Sequence, residues 1–107
     1  MLATRHNQSV HFVYIVRCAD GTLYTGYARD PQARVKVHNA GRGARYTSGR
    51  RPVVLVYAER CRSLSAALKR EHELKRCSRA RKEQLAHLAR GTLNPGGPSH
   101  LRQSALS

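Results

Sequence analysis

The chain has 107 residues, with twenty Lys or Arg against six Asp or Glu, a formal net charge of +14. So strong an imbalance spreads a positive potential over a small surface and favours a polyanionic partner, nucleic acid above all. No apolar run reaches membrane-span length, Met1 to Ser9 lacks the apolar stretch of a secretory signal, and no basic helix has a greasy face, so a cytoplasmic protein is expected rather than a membrane-bound or secreted one.

Residues 1–9 are polar and read as a frayed start, and residues 91–107, rich in Gly, Pro and Ser, read as a flexible tail; the working domain is about residues 10–90. Val10 to Cys18 and Thr22 to Tyr27 are rich in β-branched and aromatic residues and read as strands, with Ala19-Asp20-Gly21 as the hairpin turn between them. A two-residue loop would pair Ala19 with Thr22 and put Tyr14 and Tyr24 on opposite faces; a three-residue loop, preferred because Gly21 suits its left-handed bulge position, pairs Cys18 with Thr22. That register sets Tyr24 opposite Val16 and Tyr14 opposite Gly26, so both tyrosines share one face. Asp30 as N-cap and Pro31 at the first helical position start a helix to about Asn39, which Gly41 stops; Arg34 and His38 share one of its faces. Asn39 to Arg51 reads as a basic loop and Pro52 to Ala58 as a buried third strand. Ser63 caps a second helix to about Cys77, and Ser78 a third to about Arg90. The expected fold class is α/β in the α+β sense: a small three-stranded antiparallel sheet flanked by about three helices.

Trp is absent and Phe occurs once, so Val, Leu, Ala and Tyr must build the interior. Cys18, Cys61 and Cys77 are odd in number and follow no paired spacing, which suits reduced thiols; the scattered histidines offer no structural zinc site. One position stands out. The second helix carries an apolar stripe of Leu64, Ala67, Leu68 and Leu74, and Glu71 falls on it. A carboxylate on an inward face is costly unless it meets a cation or a metal.

Phe12-Val13-Tyr14, then Tyr24-Thr25-Gly26, then Asp30-Pro31 followed by Arg34, His38, Asn39 and Gly41, then Ala67-Leu68 followed by Glu71 and Lys75, form an ordered set over about residues 10–88. The set resembles the GIY-YIG nuclease superfamily, and within it the small single-domain proteins grouped as UPF0213. Two departures from the pattern are Phe12 where the family name has Gly, and Thr25 where it has Ile; neither removes a functional group. A polar Asn that some members carry in the last helix has no counterpart, since Glu83 lies near that place.

The resemblance implies metal-dependent hydrolysis of nucleic-acid phosphodiesters, DNA before RNA, leaving 5′-phosphate and 3′-hydroxyl ends. It implies one divalent ion, Mg²⁺ or Mn²⁺, held by Glu71, water and phosphate, an arrangement that suits magnesium; the alternative is an ion pair of Glu71 with Lys or Arg. Arg34 would fork onto the scissile phosphate. Tyr14 would orient or deprotonate water, provided that positive charge lowers its pKa, and Tyr24 would sit beside it. His38 would accept or relay the Tyr14 proton. Lys75 would contact phosphate, and Arg42, Arg45 and Tyr46, with Asn39, Gly41 and Gly43, suit phosphate contact and base stacking. For each of these side chains an ordinary core or solvated role is the alternative. No appended zinc finger or helix-turn-helix supplies groove contacts, so single-stranded, flapped or branched substrates fit. A rival reading is a non-catalytic accessory protein that binds DNA or RNA with the same surface. Another is a nuclease that needs a protein partner.

Overall fold

The computed structural model describes residues 10–89, so the expectations for residues 1–9 and 91–107 fall outside the described residues. Strand β1 (His11–Arg17) turns into β2 (Leu23–Ala28), followed by α1 (Pro31–Asn39), a short α2 (Arg45–Ser48), β3 (Val54–Cys61), α3 (Leu64–Lys75) and α4 (Arg79–Ala89). The sheet is antiparallel in the order β2-β1-β3, so β1 is the central strand.

The hairpin takes the register that its turn residues dictate. Cys18 and Thr22 pair through Cys18 N–H and the Thr22 carbonyl at 2.8 Å, and Gly21 has φ +88°. A side chain at that φ would be strained, whereas Gly adopts it freely. Tyr14 therefore lies opposite Gly26 and Val16 opposite Tyr24. The helix starts also follow local chemistry. The Asp30 carboxylate accepts from Ala33 N–H with Pro31 in the first turn, Ser63 accepts from Ala66 N–H, and Ser78 accepts from Arg81 N–H.

Two apolar layers form, one on each face of the sheet. Val13, Cys61, Ala67, Leu74 and Leu85 join one layer, where α3 lies against β1 and β2, and α4 against β3. Tyr14, Val16, Cys18, Ala28 and Val53 form the other, with Val35 of α1 packed on them. A register shift between Ile15 and Val16 pairs Ile15 with Tyr57 and Val16 with Leu55, giving each layer its residue from β3.

Three expectations need correction. The third strand is not buried: it is an edge strand that begins at Val54, which is 60% exposed, and ends at Cys61. Its unbroken apolar run imitates a central strand, a pattern that cannot tell an edge from a centre. The basic loop contains α2, so four helices rather than about three are present among the described residues. In α3 only Ala67 and Leu74 are buried, while Leu64 and Leu68 are 47% and 46% exposed.

Two side chains test this packing. Leu74, fully buried in the layer beneath α3, should cost about 2–5 kcal/mol when replaced by Ala. Thr25 Oγ1 is buried without a hydrogen-bond partner among the described residues. Thr25→Val keeps the shape and removes that unpaired hydroxyl, so it should raise stability by about 1 kcal/mol. Denaturant midpoints at constant slope would check both.

Candidate active site

Tyr14 projects from the middle of β1 into the layer under α1 and is only 1% exposed. Its ring crosses the strand partner opposite. A Cβ on Gly26 would lie 2.5 Å from the Tyr14 hydroxyl and 2.7 Å from Cζ. The glycine of the Tyr-Thr-Gly triplet is thus the space that the tyrosine occupies. His38, from the last turn of α1, is 1% exposed and shares a 2.8 Å hydrogen bond between Nε2 and the Tyr14 hydroxyl. Its Nδ1 lies 2.8 Å from Thr47 Oγ1, which donates to the Ala44 carbonyl at 3.0 Å. Gly43 lies directly against the imidazole, where any Cβ would overlap the ring. Gly41, at φ +83°, turns the chain out of α1 so that residues 43–47 fold back over His38.

Arg34 stands one turn before His38, exposed, with Nη1 3.4 Å from the Tyr27 carbonyl. Its charge reaches both buried groups. Burial pushes the Tyr14 phenol up to about 12, with Tyr24 and Glu71 adding to the rise and Arg34 opposing it. Burial and Arg34 together hold His38 below the ordinary histidine range. Burial thus outweighs the basic surroundings at Tyr14. The buried pair is a neutral phenol beside a neutral imidazole at pH 7.

Glu71, in α3, is 19% exposed at its side chain and pairs with Lys75 at 3.2 Å. The ion pair with Lys is present, and the carboxylate also opposes ionisation of Tyr14. No group of three or more His, Cys, Asp or Glu comes together among the described residues. A lone carboxylate fits an ion that keeps most of its water shell, and Lys75 beside it shows that the position accepts positive charge.

Tyr24 meets the His38 ring edge-on at a centroid distance of 5.5 Å, and Tyr46 stacks on Tyr24 at 5.8 Å and 21°. Arg50 caps this stack, 4.0 Å above the Tyr46 ring, and Asp20 holds its Nε at 3.1 Å. Arg42 and Arg45 are exposed, with no side-chain hydrogen bond or ion pair among the described residues. Asn39 is not available to phosphate: its amide donates to the Val53 carbonyl at 3.1 Å and accepts from Val53 N–H at 2.7 Å. Tyr14, Tyr24, Arg34 and His38 are thus brought into one cluster, with Tyr46 stacked on it and Glu71 within electrostatic reach. Lys75 is tied to Glu71. Glu83 is spent elsewhere, gripped by both Arg17 terminal nitrogens, which hold its carboxyl down at about 2.

Thr47 and Arg50 carry parts of this geometry that the sequence did not single out. Arg50 follows Tyr46 at helical i, i+4 spacing, a readable signal for a capped ring. Thr47 follows His38 by nine residues across a turn, and no periodicity marks it.

A family model described as the GIY-YIG catalytic domain matches residues 10–84. A UPF0213 protein of Staphylococcus aureus is 60% identical over 75 residues, covering 70% of this chain and 92% of the relative. The solution NMR structure of the protein EF2693 from E. faecalis is 38% identical with a TM-score of 0.52, covering 82% of this chain and 92% of that one. That likeness agrees with the three-stranded α+β architecture. The chain belongs to the GIY-YIG superfamily of nuclease domains.

Proposed function

We propose that this protein is a divalent-metal-dependent nuclease that hydrolyses DNA phosphodiester bonds and leaves 5′-phosphate and 3′-hydroxyl ends. One observation carries the reading: a buried phenol hydrogen-bonded to a buried imidazole, with an exposed guanidinium on one side and a lone carboxylate within electrostatic reach. Hydrolysis needs a proton taken from water and charge stabilised on phosphate, and these groups are equipped for both.

Arg34 presents its fork to the scissile phosphate, where charge grows in the transition state. Tyr14 orients the attacking water. Burial pushes the Tyr14 phenol up, which disfavours a free tyrosinate before the reaction. Tyr14 therefore takes a proton from water only as it passes its own to His38 Nε2, 2.8 Å away. Glu71 would hold a hydrated Mg²⁺ or Mn²⁺, which would support charge on the phosphate and the leaving oxygen. Lys75, paired with Glu71 in the structure, would contact phosphate once Glu71 held the ion. Arg42 and Arg45 track the backbone of single-stranded or branched substrates, while Tyr46, stacked on Tyr24 and capped by Arg50, takes a base only once Arg50 moves aside. A cytoplasmic setting agrees with the free Cys18, Cys61 and Cys77. No described helix is long and apolar enough to cross a membrane.

Labelled single-stranded, duplex and branched DNA, incubated with Mg²⁺, Mn²⁺ or EDTA, tests the proposal. Cleavage should require the metal and fall at least about 100-fold in Arg34→Ala and Glu71→Ala, while binding persists. Cleavage that survives both substitutions rules out this site, and binding without cleavage on every substrate supports an accessory protein instead. The pH profile supplies a separate check. His38 accepts a proton only when neutral, and its pKa is depressed. Activity should therefore hold below pH ~6.5, the unperturbed histidine value, and fall only as His38 protonates. His38→Gln should remove that acid limb.

A further inference from the structure

We infer that Thr47 is a positioning residue of this site: it fixes His38 in the Nδ1–H tautomer and so turns the Nε2 lone pair toward the Tyr14 hydroxyl. The inference follows from counting donors and acceptors along one buried chain of contacts. Tyr14 Oη and His38 Nε2 are 2.8 Å apart, His38 Nδ1 and Thr47 Oγ1 are 2.8 Å apart, and Thr47 Oγ1 and the Ala44 carbonyl are 3.0 Å apart. A hydroxyl has one hydrogen and a neutral imidazole has one N–H. Only two orientations of the chain are open.

In the first, Tyr14 donates to Nε2, Nδ1–H donates to Thr47, and Thr47 donates to the Ala44 carbonyl. Every donor is paired. In the second, Thr47 donates to Nδ1 and Nε2–H donates to Tyr14. The single Thr47 hydrogen would then have left the Ala44 carbonyl, yet the two oxygens lie 3.0 Å apart and only Thr47 can supply the hydrogen between them. In the first orientation Thr47 both accepts from Nδ1–H and donates to Ala44, as the two distances require. The first orientation wins.

The surroundings hold the ring in that pose. Among the described residues the groups that face the imidazole are Tyr14, Tyr24, Thr47 and Arg34, none of them a carboxylate that would draw a proton onto Nε2. Gly43 backs directly onto the ring, where a side chain would overlap it. Thr47 is itself 0% exposed, anchored by α2, whose N-terminal carbonyl at Ala44 ends the chain of hydrogen bonds. The short α2 therefore serves to hold one hydroxyl against His38. Such an orienting partner is what makes one nitrogen of a histidine an acceptor rather than a donor.

The tautomer itself can be measured whether or not the protein cleaves DNA; only the kinetic consequence rests on the proposed nuclease activity. The full chain, labelled with ¹⁵N, is examined by long-range ¹H–¹⁵N correlation at pH 7.5, roughly one unit above the unperturbed histidine pKa, with His38→Gln to assign the signals among the six histidines. Wild type should show Nδ1 protonated and Nε2 bare. Thr47→Ser should keep that pattern, and Tyr14→Phe should keep it too, because the lock lies on the Thr47 side. Thr47→Val should shift His38 toward Nε2–H. In cleavage assays Thr47→Val should lower kcat at least tenfold with KM within twofold, and Thr47→Ser should restore it. An Nε2–H tautomer in wild type, or an unchanged Nδ1–H tautomer in folded Thr47→Val, overturns the inference. If wild type cuts no DNA, the nuclease reading fails while the NMR result still decides the role of Thr47. Should Thr47→Val not fold, the wild-type and Tyr14→Phe tautomers decide it.

Discussion

A phenol from the central strand and an imidazole from the first helix share a 2.8 Å hydrogen bond, and both are sealed from solvent. Most of the local architecture exists to make that contact possible. The hairpin turn at Gly21 sets the register that puts Gly26 under the Tyr14 ring, and no larger residue fits there. The Asp30 cap and Pro31 start α1 so that His38 falls in its last turn, facing the sheet. Gly41 then reverses the chain, Gly43 passes flat against the imidazole, and α2 delivers Thr47. A buried polar network is costly when half satisfied, so these steps must hold together.

The charge distribution follows a second constraint. Six carboxylates serve twenty Lys and Arg, and all six are engaged. Asp30 caps α1, Glu59 and Glu73 share Arg70, Glu83 joins Arg17 and Arg79, Asp20 holds Arg50, and Glu71 meets Lys75. Several of these pairs connect separate elements, such as β3 to α3 and β1 to α4. Exposed pairs contribute little stability each, but they decide which cations stay available. Arg42 and Arg45, beside the stacked tyrosines, are left to the solvent side and to any phosphate that approaches.

Much of the site was legible because its signals are local. The Tyr14 and Tyr24 register follows from turn chemistry at Gly21, and the shared face of Arg34 and His38 follows from helical spacing. Glu71 stood out because an acid on an apolar stripe contradicts the pattern around it. The same stripe misled on Leu64 and Leu68, since periodicity reports a face but not how far a neighbour covers it. The apolar run from Val53 to Tyr57 misled likewise, because one edge of a three-stranded sheet can be as apolar as its centre. Asn39 illustrates a different limit: an amide suited to phosphate is as well suited to a backbone N–H and carbonyl, and Val53 took it.

From the sequence alone come the partner class, the capped helices, the hairpin register and the ordered set of residues that marks the GIY-YIG superfamily. These depend on composition and on interactions a few residues apart, which the linear order states directly. Only the tertiary structure showed that burial raises the Tyr14 phenol, outweighing the nearby positive charge. It alone brought Thr47 to His38 and Arg50 over Tyr46, contacts made by the path of the chain after Gly41. Net charge is a sum over residues and can be counted. Proton position depends on which atoms face one another in a dry interior, and folding determines that.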